Sequence, residues 1–184
     1  MRVGNDGLMG REMPHVTPWF ERKFDFSFPA ELCPNICVRL RGTPARLEEM
    51  VRTRPPDLLT RKDEGKWSAQ ETAGHLLDLE PLWLARVEDF LSGRSDLAAA
   101  DLTNRKTHEA GHNRRAIGDI LADYRSARSK LLEKVSSLPA SASQETALHP
   151  RLKTPMRLVD HLYFVAEHDD HHLEQIWVLL SSGR

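Results

Sequence analysis

Cysteine is nearly missing from this chain, with two residues among 184, Cys33 and Cys37. Two thiols cannot build a disulfide framework, and Cys-Pro-Asn-Ile-Cys has the wrong spacing for a Cys-x-x-Cys redox or zinc motif. They read as free, structural thiols. Long apolar runs are missing too: charges interrupt every hydrophobic stretch before the roughly 20 residues that a membrane-spanning helix needs. Neither sign of charge is in excess, because 26 Lys and Arg face 27 Asp and Glu. That balance removes the electrostatic reason to expect a nucleic acid or an anionic membrane as partner. Met1 to Pro14 lacks the apolar core of a secretory signal, so a cytoplasmic location is expected.

Period-two alternation is also lacking, so no strands are expected. What the sequence has is helical period, in a chain of single-domain length. Residues 1–35 mix Gly, Pro, Arg and isolated aromatics and read as an irregular arm, with Trp19, Phe20, Phe24, Phe26 and Phe28 packing on the domain. Residues 36–184 read as the folded domain. Its first helix is expected over Ile36–Arg54, with Gly42 and Pro44 as possible breaks, and Pro55-Pro56 ends it. The second opens with the capping box Ser68-Ala-Gln-Glu71 and runs to Ser92, where Gly93 stops it. Pro81 inside it predicts a kink. Residues 94–113 are polar and aperiodic, a long connection. The third helix is expected over Arg114–Ser137, and the fourth from Thr154 as N-cap and Pro155 as first helical residue to Ser181. Four long helices without a sheet make an all-α four-helix bundle.

The fourth helix carries an anomaly. Its apolar stripe, Leu158, Leu162, Val165, Ile176 and Leu179, passes through Asp169 and His172, with His161 and His168 beside it. Burying an unpaired polar group costs about 1–3 kcal/mol, so a bundle helix rarely places one there. His168 and His172 stand at i and i+4, on one face and about 5–6 Å apart at Cβ. That suits two ligands of one first-row metal, although a solvated charged patch has the same spacing. A third ligand has to come from another helix, and His75 is the histidine of the second.

Lys66-Trp67-Ser68-Ala69-Gln70-Glu71, followed by His75-Leu76-Leu77-Asp78 and Glu80, resembles the "W-S-x-x-E-x-x-x-H-L-x-D-x-E" opening of DinB/YfiT-like proteins. Residues Ala166 to Ile176, with His168, His171, His172 and Gln175, resemble the closing "H-x-x-H-H-x-x-Q-I" helix of that family. The resemblance runs from about Gly42 onward. It implies an up-down-down-up bundle that forms a homodimer, and a metal on His75, His168 and His172. His171 then falls outside the ligand set, as an outer-sphere or surface residue. Pro81 and the aromatic arm match nothing in the family pattern.

His108-Glu109-Ala110-Gly111-His112 fits the zinc-protease pattern H-E-x-x-H, but polar neighbours and Gly111 argue against the amphipathic helix it needs. It reads as a polar loop or the edge of a pocket, with Asn104, Arg105 and His149 as further rim residues. Three neutral imidazoles leave coordination positions open, as in catalytic sites. Nitrogen ligands favour one divalent first-row metal, zinc or nickel foremost, with iron, manganese or cobalt also open. Asp169, Asp170, Glu167, Asp78 and Glu80 are candidate acceptors for ring N–H groups. Asp169 comes first among them, and Glu80 is also a candidate general base. Two functions follow. One is a metal-dependent enzyme acting on a small molecule, a hydrolase or a transferase using a low-molecular-weight thiol. The other is a non-catalytic metal- or ligand-binding stress protein.

Overall fold

The computed structural model describes residues 16–63 and 65–181, so the reading of Met1 to Pro14 lies outside the described residues. In chain order the helices are α1 (Cys33–Val51), α2 (Pro56–Thr60), α3 (Ala69–Leu91), α4 (Arg105–Ala110), α5 (Ile117–Ser136) and α6 (Leu158–Ser181). The four long ones, α1, α3, α5 and α6, are the expected bundle. A hairpin of β1 (Thr146–His149) and β2 (Thr154–Arg157) precedes α6.

Local chemistry accounts for most boundaries. The capping box opens α3: Ser68 Oγ accepts from the Glu71 N–H at 3.0 Å, and Glu71 Oε2 accepts from the Ser68 N–H at 2.9 Å. Gly93 follows its end at φ +66°, a left-handed position that glycine takes without strain. α1 runs unbroken through Gly42 and Pro44, where a break was possible. Pro44 has no N–H to give the Leu40 carbonyl one turn back, and that carbonyl accepts instead from Arg128 Nη1 of α5 at 3.1 Å. A hydrogen bond lost within one helix becomes a tie between two.

Three expectations need correction. Residues 94–113 are not a plain connection, because they hold α4 and lead into a 3-10 turn at His112–Arg114. The fourth long helix starts at Leu158 and not at Thr154, and strands are present. Thr154–Arg157 pairs antiparallel with Thr146–His149, Pro155 lying opposite Leu148. Four-residue strands are too short to show alternation, and the left-handed turn at Lys153, φ +53°, sits on a residue that does not announce it. Pro155 causes no loss there, since a two-stranded ribbon has only edges.

α1 packs on α5 and α6, and α3 packs on the same two, so α1 lies diagonal to α3 and α5 diagonal to α6. This neighbour order does not conflict with an up-down-down-up bundle. The core is split in two. One apolar cluster takes Leu40, Trp83, Leu131 and Leu162; the other takes Leu47, Leu76, Tyr124 and Ile176. Between them every long helix contributes polar side chains that are buried: Thr43, Asp78 and Glu80, Arg128, and the run His168, Asp169, His171 and His172. Burying that many polar groups opposes folding unless they find partners, so their partners decide what the waist can do.

Candidate metal centre

α3 and α6 face each other across the waist and bring three rings together. Ring centroids are 4.4 Å apart for His168 and His172, 4.7 Å for His75 and His172, and 5.4 Å for His75 and His168. One ring nitrogen from each lies within 4.8 Å of the other two. His168 Nε2 and His172 Nε2 are 3.1 Å apart. Two nitrogens bound at about 2.0–2.1 Å to one ion stand roughly 3 Å apart, so this pair fits a shared metal.

Hydrogen bonds select which nitrogen each ring offers. His75 Nδ1 is 3.1 Å from Thr107 Oγ1. That hydroxyl gives its single proton to Asp78 Oδ2 at 3.0 Å, so His75 Nδ1 must donate and Nε2 keeps its lone pair. Asp78 Oδ2 also accepts from His112 Nε2 at 2.8 Å. His172 Nδ1 donates to Gln175 Oε1 at 2.8 Å, which again frees Nε2. The Gln175 amide nitrogen turns to His171 Nε2 at 3.1 Å. His171 is thus buried rather than on the surface, and bonds to the same Gln175 as His172.

Electrostatics keep these rings neutral. Burial, reinforced by the neighbouring histidines against the pull of Asp78, lowers His75 to about 4. Burial and the adjoining rings hold His168 and His172 well below the ordinary histidine value. Burial would raise the Asp78 carboxyl, but its bonds from His112 and Thr107, with Lys106 nearby, leave it lowered. Neutral imidazoles beside a fixed carboxylate are what a divalent ion requires. The three rings open on a cavity of about 640 Å³ whose walls include Trp19, Trp67, Trp83 and Phe164.

A family model described as the DinB superfamily matches residues 39–176, a span that takes in all three histidines. The chain belongs to the DinB superfamily. Among solved structures, YfiT from Bacillus subtilis superposes on this DinB chain with a TM-score of 0.75 at 20% identity. The match covers 88% of this chain and 93% of that one. That structure is described as a probable metal-dependent hydrolase with an unusual four-helix bundle topology, and at this identity the likeness establishes the fold. No curated protein sequence matches the chain.

The DinB bundle sorts the other nominated residues. Asp169, the first candidate acceptor for ring N–H groups, and Glu80, the candidate general base, are both committed to Arg128. Asp169 accepts from Arg128 Nη1 at 2.6 Å and Nη2 at 3.1 Å; Glu80 accepts from Nη2 at 2.6 Å and Nε at 3.1 Å. Glu167 and Asp170 pair with Arg39 of α1, at 2.7 and 2.5 Å. Asp78 alone among the five acids supports one of the three clustered rings, that of His75, through Thr107. Of the rim residues, Asn104 and His149 line the cavity. Arg105 opens α4, its N–H bonded to Asp101 Oδ2 at 3.1 Å, and the His108 ring lies 5.5 Å from Trp67.

The H-E-x-x-H match has a different role from the one its pattern names. α4 ends at Gly111, φ +63°, so His108 and His112 do not share a helix face. His112 instead packs against α3 where Gly74 leaves room; a Cβ there would lie 2.2 Å from its ring. Thr107 and Arg128 were missed. Arg128 did carry a signal, since it falls on the buried stripe of α5 between Tyr124 and Leu131, where a charge is out of place.

Proposed function

We propose that this chain is a metal-dependent enzyme acting on a small molecule, hydrolysis being its first reading. The carrying observation is that three buried imidazoles, at least two with their Nε2 freed by a hydrogen bond to the other ring nitrogen, converge at the floor of a cavity of about 640 Å³. A structural metal site is closed by four protein ligands; three ligands below an open cavity match a catalytic one. The description of YfiT as a probable metal-dependent hydrolase supports the same reading.

His75, His168 and His172 would hold one divalent first-row ion, with zinc or nickel first among those suited to imidazole. Such an ion supplies Lewis acidity, polarising a substrate oxygen or acidifying a water or a thiol. The protein does the rest. Thr107 and Asp78 fix the His75 ring, Gln175 fixes that of His172, and Trp19, Trp67 and Trp83 shed water from the cavity walls. Asp169 and Glu80 act as positioning residues: through Arg128 they lock α3, α5 and α6 in register beneath the ligands. A low-molecular-weight thiol as co-substrate and a second copy of the chain as partner extend this reading from the family resemblance.

The test is metal content by plasma mass spectrometry on untagged wild type and His172→Ala, followed by ester and amide substrates with and without added thiol. About one ion per chain, lost in the variant, with metal-dependent turnover, is the expected result. A wild type that takes up no zinc, nickel or manganese overturns it in favour of a non-catalytic helical binding protein.

A further inference from the structure

The cavity above the histidines has a second face that the metal reading leaves unused. Arg86, from α3, and Arg151, from the turn between β1 and β2, line the same cavity as His75, His168 and His172. Neither forms an ion pair among the described residues. Arg86 is 2% exposed; its Nε donates to the Ala98 carbonyl at 2.9 Å and its Nη1 lies 3.1 Å from His149 Nε2. Asp89, the acid that acts on it from its own helix, accepts from the Ala98 N–H at 2.7 Å and faces Arg94 at 3.4 Å. The Arg151 guanidinium sits 5.7, 5.2 and 5.6 Å from the ring centres of Trp19, Phe20 and Phe164, and its Nη2 is buried with no hydrogen-bond partner.

His149 lies between the two and deepens the imbalance. Its Nε2 meets the Arg86 donor, while its Nδ1 meets the backbone N–H groups of Arg151 at 3.3 Å and Leu152 at 3.2 Å. A neutral imidazole accepts on one nitrogen, so in either tautomer a donor faces a donor. The wall therefore holds an excess of donors and two cations that no carboxylate pairs: Asp89 acts on Arg86 without forming an ion pair, and Asp101, the acid in the cavity lining, is bonded to Thr103 and to the Arg105 N–H. Burial, with Arg151 pressing from nearby, lowers Arg86 to about 10, and burial with both guanidiniums lowers His149 to about 3.

We propose that Arg86 and Arg151 form an oxyanion subsite that binds a carboxylate or phosphate group of the substrate, setting its other end toward the three histidines. The guanidinium fork suits the paired oxygens of either group. Trp83 and Phe164, between the two ends of the cavity, take the apolar body. This rests on the metal-enzyme reading and narrows its substrate to small organic acids or phosphate esters.

The test uses full-length protein stripped of metal, so that no ion can itself hold an anion. Phenylacetate, inorganic phosphate and the neutral phenylacetamide are titrated calorimetrically into wild type, Arg151→Gln and Arg86→Gln. Wild type is expected to bind at least one anion about tenfold or more tightly than the amide, and Arg151→Gln to lose about tenfold or more of that affinity. Arg86 is buried and its variant can fail to fold, whereas Arg151 is half-buried, so Arg151→Gln decides. Preference for phenylacetate points to organic acids and preference for phosphate to phosphate esters. Equal binding of amide and acid, unchanged binding in Arg151→Gln, or no anion binding by wild type overturns the subsite. Zinc uptake is measured on the same preparations. A wild type that binds the anion through Arg151 but takes up no zinc keeps the subsite and sinks the metal reading; zinc uptake without anion discrimination does the reverse.

Discussion

The His75 ring of the proposed metal site is held by residues far from it in the sequence. Thr107 orients the ring, Asp78 accepts the hydrogen bond from its hydroxyl, and His112 closes the chain from a turn that only Gly74 lets approach. Outer hydrogen bonds of this kind contribute about 10–100-fold to metal affinity. Thr107→Val and Asp78→Asn are therefore expected to weaken zinc binding by about that factor while the protein stays folded, as read by competition with a chromophoric chelator. Protonation is the other consequence at this scale. His75, at about 4, and His149, at about 3, lie below the unfolded histidine value of 6.5. Their contribution is present above pH 6.5 and is lost as pH falls toward 4. The metal-free protein should lose stability across that window in denaturant titrations, and an unchanged midpoint from pH 7 to 4.5 would contradict the burial assigned to these rings. At this scale the sequence was partly legible. The i, i+4 pair His168 and His172 announces itself because helix geometry is fixed. Thr107 does not, because only the path of the chain after α3 brings it to His75.

Between elements, Arg128 is the clamp. Its guanidinium joins Glu80 of α3, Asp169 of α6 and the Leu40 carbonyl left free by Pro44 in α1. Removing one member of a buried ionic cluster leaves charge unpaired and costs about 3–5 kcal/mol, so Arg128→Ala should lose about that much in urea denaturation. Two carboxylates on one buried cation cannot both be comfortably ionised, and burial carries Glu80 up to about 7 against the pull of Arg128. Its folded value lies above the unfolded 4.5, so its contribution is full below pH 4.5 and is lost as pH rises through 7. Wild type should therefore lose stability relative to Glu80→Gln between pH 5 and 8; parallel curves would refute it. Helix existence and the capping box at Ser68 were legible because long periodic segments and caps are local. The hairpin and α4 were not: strands of four residues carry no readable period, and Gly111 was read as weakening a helix when it ends one.

Across the whole molecule, two apolar halves hold a polar waist, and the aromatic arm covers it. Trp19 lies 5.1 Å from the His168 ring and 5.6 Å from that of His171, and Arg22 ties the arm to Glu167 at 2.6 Å. The arm thus forms part of the cavity wall, a role its irregular sequence hid. Trp19→Ala should leave zinc affinity near wild type but raise KM for any substrate found, since it removes cavity wall and no ligand. The bundle was foreseeable from four long helical segments without a sheet. Its cavity was legible only in part, at the rim residues Asn104 and His149, because a cavity belongs to the arrangement of elements and to no single one. The most direct measurement is X-ray absorption at the zinc edge on the loaded full-length protein. Three imidazole nitrogens at about 2.0–2.1 Å, with the signal lost in His168→Ala, are the expected result. A sulfur shell at about 2.3 Å, pointing to Cys33 and Cys37, or a spectrum unchanged by that substitution, would contradict it.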